Sequence, residues 1–112
     1  MRVKYKRKWG FNVNYKKQNI KPGVSLHVIN TNKFKTNLFS IFLTTKLERD
    51  TVTKNALLTS VLRRGSKKYP TQELISQNLE SLYGASFDCG VEKTGDNHVL
   101  KFYLESINNE FL

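Results

Sequence analysis

Alternating apolar and polar positions predict strands in the first half of the chain. Residues 1–21 alternate Lys and Arg with Val, Tyr, Trp and Phe, a period of two that predicts an exposed edge strand. Lys21-Pro22-Gly23 ends this segment. Residues 24–30 predict a second strand, and residues 37–47 predict a central strand because both of its faces carry large side chains. A turn at residues 30–32 predicts that these two strands form a hairpin.

The apolar period becomes helical after residue 50. Asp50 is the predicted N-cap of a first helix, and Gly65 is the residue predicted to end it. Thr71 is predicted to cap a second helix, which Gly84 ends. The apolar stripe of this second helix is predicted to consist of Ile75, Leu79, Leu82 and Tyr83.

Two more strands, at residues 86–92 and 98–105, are predicted to pair around a turn at residues 94–97. The order β-β-α-α-β-β predicts an α+β fold with two helices packed on one face of a mostly antiparallel sheet. Cys89 is interpreted as a buried, unreactive residue of its strand. The two histidines, His27 and His98, are interpreted as ordinary strand residues.

The net charge of +10 is unevenly distributed. Eight of the 19 Lys and Arg lie in the first 22 residues without any acid among them, whereas the later residues have 11 basic and nine acidic side chains. We therefore distinguish a basic N-terminal arm or edge strand, residues 1–21, from the remaining residues 22–112. The candidate basic contact patch comprises Arg2, Lys4, Lys6, Arg7, Lys8, Lys16 and Lys17.

The aromatic residues between these charges leave an alternative function open. Lys and Arg neutralise phosphates while aromatic rings stack on bases, so a small basic nucleic-acid-binding module would have this composition. The chain shows neither an aromatic-rich ribonucleoprotein strand nor a Gly-x-x-Gly loop between helices. A solvated edge strand explains the same residues.

Cysteine usage and hydropathy limit the cellular setting. The single cysteine excludes an internal disulfide and suits a reducing compartment. No apolar run approaches the length that spans a bilayer. We therefore expect a cytoplasmic protein without a membrane partner.

The sequence Ala-Leu-Leu-Thr-Ser-Val-Leu-Arg-Arg-Gly-Ser-Lys-Lys-Tyr-Pro occupies residues 56–70, and residues 73–85 begin with Glu-Leu and end with Leu-Tyr-Gly-Ala. Together they resemble the insulinase/pitrilysin family of zinc peptidases, whose members carry His-x-x-Glu-His, a few residues, and then Lys-Gly-Thr-x-x-Tyr-Pro. The resemblance covers residues 22–112. It implies the N-terminal half of an insulinase-type domain.

The resemblance also shows what this chain lacks. Ala56, Thr59 and Ser60 stand where the family has its His, Glu and His. In active members the two imidazoles hold Zn²⁺ and the glutamate handles the proton of the bound water. Methyl and hydroxyl groups do neither, and the family's third ligand, a glutamate, would lie beyond Leu112. The resemblance thus implies no metal, no cofactor and no catalytic residue.

A non-catalytic member of this family is expected to act as a structural or peptide-binding subunit. The resemblance implies a heterodimer with an active zinc-peptidase relative, which together close a chamber around an extended peptide. The chain is similar to bacterial proteins associated with the 5-aminopentanol modification of elongation factor P. Because a family domain is longer than this chain, we expect an exposed apolar face and self-association of the isolated chain.

Overall fold

The computed structural model of the chain describes residues 2–6 and 12–112. They fall into two compact units, residues 1–35 and residues 36–112, here called the N-terminal unit and the C-terminal unit. The elements in chain order are β1 (Arg2–Lys6), β2 (Asn12–Lys21), β3 (Val24–Thr31), β4 (Thr36–Lys46), α1 (Arg49–Arg64), α2 (Gln72–Ser81), β5 (Ser86–Thr94), β6 (Asn97–Ile107) and a 3-10 turn (Asn109–Phe111).

The N-terminal unit is a three-stranded antiparallel sheet in the order β1-β2-β3. A tight turn at Pro22 and Gly23 joins β2 to β3, and Gly23 has the positive φ of 78° that glycine tolerates best. Residues 1–21, expected to be one arm or edge strand, therefore contain an edge strand, β1, and a central strand, β2. The expected boundary after residue 21 falls in this turn, while the two units divide after Lys35.

The predicted hairpin between residues 24–30 and 37–47 is wrong. β3 pairs with β2 in one sheet, whereas β4 pairs with β6 in the other. The predicted central position of β4 is also wrong, because the order of the second sheet is β4-β6-β5. Large side chains on both faces of a strand do not specify its neighbours. The central strand is β6, which pairs along nearly its whole length with both β4 and β5.

The chain as a whole confirms the predicted α+β class, and the elements from β3 to β6 follow the predicted β-β-α-α-β-β order, with their strands divided between two sheets. The predicted pairing of the last two strands is confirmed, with Gly95 and Asp96 as the turn. α1 packs on β5 and β6, and α2 contacts α1. No helix in residues 2–6 and 12–112 is long and apolar enough to cross a bilayer.

The two ends of α1 differ in detail from the predicted ones. Glu48 is the N-cap, so the prediction of Asp50 is wrong by two residues; Asp50 lies in the first turn, where its charge still favours the positive end of the helix. Gly65 ends the helix as predicted, but in an extended conformation. Its lack of a side chain matters because a Cβ there would lie 2.9 Å from the carbonyl oxygen of Pro70.

The cap of α2 is confirmed, since the Thr71 hydroxyl accepts a hydrogen bond of 3.2 Å from the Leu74 N–H. Ile75 and Leu79 are half-buried as their spacing predicts. The predicted burial of Leu82 is wrong, since 42% of its surface is exposed. The predicted burial of Tyr83 is wrong too. This residue follows the helix with a φ of 60°, which removes it from the helical period, and it is 72% exposed.

Candidate functional site on the first helix

Thr59 is the most buried residue of α1, with 4% of its surface exposed. Its hydroxyl donates a hydrogen bond of 2.8 Å to the carbonyl oxygen of Ala56, one turn earlier. Its own carbonyl oxygen accepts a hydrogen bond of 3.0 Å from the Cys89 thiol on β5. Thr59 is therefore satisfied on both polar groups without water, and it fixes α1 against the sheet.

The three positions that match the zinc motif differ in burial. Thr59 is buried, Ala56 is half-buried and Ser60 is exposed. The Ser60 hydroxyl lies 3.5 Å from the same Ala56 carbonyl oxygen, which is too long for a strong hydrogen bond. The motif positions thus run from the sheet to solvent across one side of the helix. They offer a methyl group and two hydroxyl groups, none of which is a usual zinc ligand.

The chain's potential metal ligands are dispersed in the structure. Within residues 2–6 and 12–112, no group of three His, Cys, Asp or Glu side chains lies close enough to hold a metal ion. His27 on β3 has its Nδ1 atom 2.6 Å from the Tyr15 hydroxyl, and the two rings stack 5.9 Å apart. His98 on β6 is 4% exposed, and its Nδ1 atom has no hydrogen-bond partner in the described part of the chain.

Cys89 behaves as a packing residue with an unreactive thiol. It is half-buried, less than its sequence context suggested. Burial raises the pKa of its thiol, the Arg63 guanidinium acts in the opposite direction, and the Asp88 carboxylate adds to the rise. A raised pKa leaves less nucleophilic thiolate at neutral pH. The contact with Thr59 has no sequence signature, because the two residues are 30 positions apart.

An ion pair adds a second link between α1 and β5. Arg63 and Asp88 approach to 3.3 Å, with their side chains 58% and 66% exposed. Exposed pairs of this kind contribute little to stability, so the burial of Thr59 matters more for the position of the helix.

Two residues of the candidate basic patch, Lys16 and Lys17, lie on opposite faces of β2. Lys16 and Lys17 are exposed on β2, but Lys16 lies opposite Val28 and Lys17 opposite His27, so consecutive lysines point to opposite faces of the sheet. Register places Arg2, Lys4 and Lys6 opposite Lys16, Asn14 and Asn12. Arg7 and Lys8 lie outside the described residues.

Two similar proteins give these features a context. No family model matches the chain. The probable inactive metalloprotease YmfF of Bacillus subtilis (strain 168) is 39% identical over 90 residues, which is 80% of this chain and 21% of that protein. This chain is its homologue.

A solved structure shows the same fold. The crystal structure of a conserved protein from Enterococcus faecalis V583 matches 88% of this chain with a TM-score of 0.84 and 38% identity. The match covers 23% of that chain. The present chain therefore spans less than a quarter of the length of either relative.

Replacing Thr59 with Glu tests the structural role of this position. Because Thr59 is 4% exposed, we expect Thr59→Glu to lower the free energy of unfolding by about 2–3 kcal/mol, as expected for a poorly compensated buried charge. Ser60→Glu adds the same group at the next, exposed residue and is expected to change stability by less than about 0.5 kcal/mol. Urea unfolding measures both. Equal effects of the two substitutions would contradict the assigned burial.

Proposed function

We propose that this chain is part of an insulinase-type pseudo-peptidase that binds peptides without cleaving them. The observation that carries the proposal is the state of Thr59, which stands at the position of the family's general base and is packed against Cys89 instead. The similarity to a protein named as an inactive metalloprotease supports it. Ala56 and Ser60 complete the degenerate motif on the same side of α1.

In this proposal the helix forms a wall where the family holds its metal. Ala56 and Thr59 give that wall a methyl group and a neutral hydroxyl, neither of which is a usual zinc ligand, and the Thr59 hydroxyl donates its proton to the Ala56 carbonyl oxygen. The peptide would be held in extended form by main-chain hydrogen bonds to a sheet edge, a mode that needs no reactive group. Cleavage would belong to an active zinc-peptidase partner in a heterodimer.

Uncovered apolar surface supports the expectation of further protein around the C-terminal unit. Register places Ile41, Phe102 and Cys89 in one row across the sheet, so Ile41 shares the face on which α1 packs. α1 covers β5 and β6, and the apolar side chains of β4 remain largely exposed. On the helix-bearing face these are Phe39 at 65%, Ile41 at 59% and Leu43 at 51%. Patches of this kind mark interfaces or association surfaces.

The cellular context follows from the same resemblance. The resemblance to proteins associated with the 5-aminopentanol modification of elongation factor P supports the proposal of an active relative as the partner in bacteria. A free cysteine at position 89 is compatible with a reducing cytoplasm. Both statements are part of the proposal.

Zinc content and peptide cleavage test the proposed loss of catalysis. We expect the purified chain to retain far less than one zinc per molecule after dialysis, and to leave a quenched fluorescent peptide intact. Ala56→His with Ser60→His restores an imidazole pair at i and i+4, which should add weak zinc binding. Thr53→His with Leu57→His is the matched control, since it places the same spacing on another part of α1.

The zinc measurement has clear outcomes. Zinc bound by the restored pair in preference to the control pair supports the alignment of the motif positions. Stoichiometric zinc in the unaltered chain, together with cleavage that a chelator abolishes, would contradict the proposal. Equal zinc affinity of the two His pairs would contradict a special role for the motif face.

Sedimentation velocity at rising protein concentration tests the apolar surface. We expect the isolated chain to self-associate, because water-exposed Phe, Ile and Leu side chains on β4 are buried by association. Ile41→Lys should weaken this association about tenfold or more by placing a charge in the contact. Thr44→Lys, an exposed change on the other face of β4, is the control. A monomer at all concentrations would contradict the prediction.

A further inference from the structure

The two units of the chain carry very different charge. Residues 1–35, the N-terminal unit, contain ten of the 19 Lys and Arg and none of the nine Asp and Glu. Residues 36–112, the C-terminal unit, contain nine basic and nine acidic residues. The whole net charge of +10 therefore belongs to the N-terminal unit. A unit without a single acid attracts anionic partners and repels a copy of itself.

The N-terminal unit also has an open, uncharged sheet edge. β3 is an edge strand of eight residues and pairs only with β2 among the described residues. It contains no charged residue and no proline. Four aliphatic side chains along it are exposed: Val24 at 38%, Leu26 at 45%, Val28 at 39% and Ile29 at 63%. Natural proteins usually protect an edge strand with lysine, proline or a bulge, and an unprotected edge is suited to pairing.

The lysines lie one strand inward from this edge. Lys16 stands opposite Val28 and Lys17 opposite His27, so β2 presents positive charge on both faces of the sheet. A strand added beside β3 would lie about 10 Å from the β2 backbone, given the spacing between neighbouring strands. Flexible lysine side chains cover much of that distance. Acidic side chains on either face of an added strand would therefore meet a lysine.

We propose that the open edge of β3 binds an extended acidic segment of another protein by strand addition. Main-chain hydrogen bonds supply the pairing, the aliphatic side chains of β3 supply contact area, and Lys16 and Lys17 select for acidic partners. A second copy of the chain brings the same positive charge to the edge, and the C-terminal unit carries no net negative charge to offer. This inference is independent of the motif positions on α1.

Nucleic acid fits the same charge but not the same surface. Single-stranded nucleic acids bind to aromatic rings that are free to stack on bases. The Tyr15 ring is stacked on His27, and its hydroxyl is bonded to the His27 Nδ1 atom. The edge itself is aliphatic. These observations favour an acidic peptide, and an oligonucleotide serves as the competing ligand in the test.

Fluorescence anisotropy with the full chain tests the proposal. The ligand is a labelled peptide of alternating Glu and Val, as long as β3, and the controls are an alternating Lys and Val peptide and an oligothymidine. We expect the Glu peptide to bind, and added salt to weaken it through screening of the lysines. Lys16→Glu with Lys17→Glu should weaken binding about tenfold or more, since charge pairs across an interface are reversed.

Matched variants distinguish binding at the β3 edge from a general effect of the net charge. Lys67→Glu with Lys68→Glu makes the same change in net charge in the connector between α1 and α2 and should alter binding less than about twofold. Ile29→Glu should weaken the Glu peptide at the edge, whereas Ile29→Lys should not. Circular dichroism confirms that each variant is folded.

Three results would overturn the proposal. The Glu peptide fails to bind at low salt, or the two double lysine variants weaken it equally. Tighter binding of oligothymidine than of the Glu peptide would assign the basic unit to nucleic acid instead.

Discussion

The packing of α1 on the β5–β6 hairpin holds the C-terminal unit in its form. Thr59 is the centre of this contact: its side chain is removed from water, its hydroxyl is bonded within the helix, and its carbonyl receives the Cys89 thiol. Most buried polar groups in proteins are satisfied in this way. A small β-branched residue meets the requirement, because it adds apolar contact and keeps its one polar atom bonded locally.

The same contact bears on the proposed loss of a catalytic site. An active member of the family needs two imidazoles and a carboxylate on this side of the helix, and water beside them. Thr59 is 4% exposed, so its position offers little access to water. The small side chains at Ala56 and Thr59 therefore allow the helix to pack closely. The proposed binding of peptides and partners would use the sheet edges and the exposed apolar faces.

The sequence predicts local structure well where a local cause exists. Thr71 caps α2 through its own hydroxyl, and Gly95 makes the turn between β5 and β6, so both were predictable from a few neighbouring residues. The pairing of β4 with β6 was not predictable from neighbouring residues. The alternation of apolar and polar residues determines which face of each strand is apolar, but it does not determine which strand lies beside it. Strand order depends on contacts distant in sequence.

The sequence likewise predicted some features of the candidate site and not others. Motif spacing predicts that Ala56, Thr59 and Ser60 stand at the zinc-motif positions, but their unequal burial depends on how α1 turns toward β5. The Cys89 contact and the Arg63–Asp88 pair have no counterpart in local pattern. The charge difference between the two units is contained in the sequence, yet it becomes visible only once the division after Lys35 is known.

The central claim is that the motif face of α1 is packed on the sheet at Cys89, and the reactivity of this one thiol tests it most directly. The rate of reaction with a disulfide reagent is compared in the native chain and in urea at the same pH. Burial and the raised pKa of Cys89 predict a native rate about tenfold or more below the unfolded rate. Equal rates in the two states would contradict the packing of Thr59 on Cys89, and with it the structural explanation for the lost metal site.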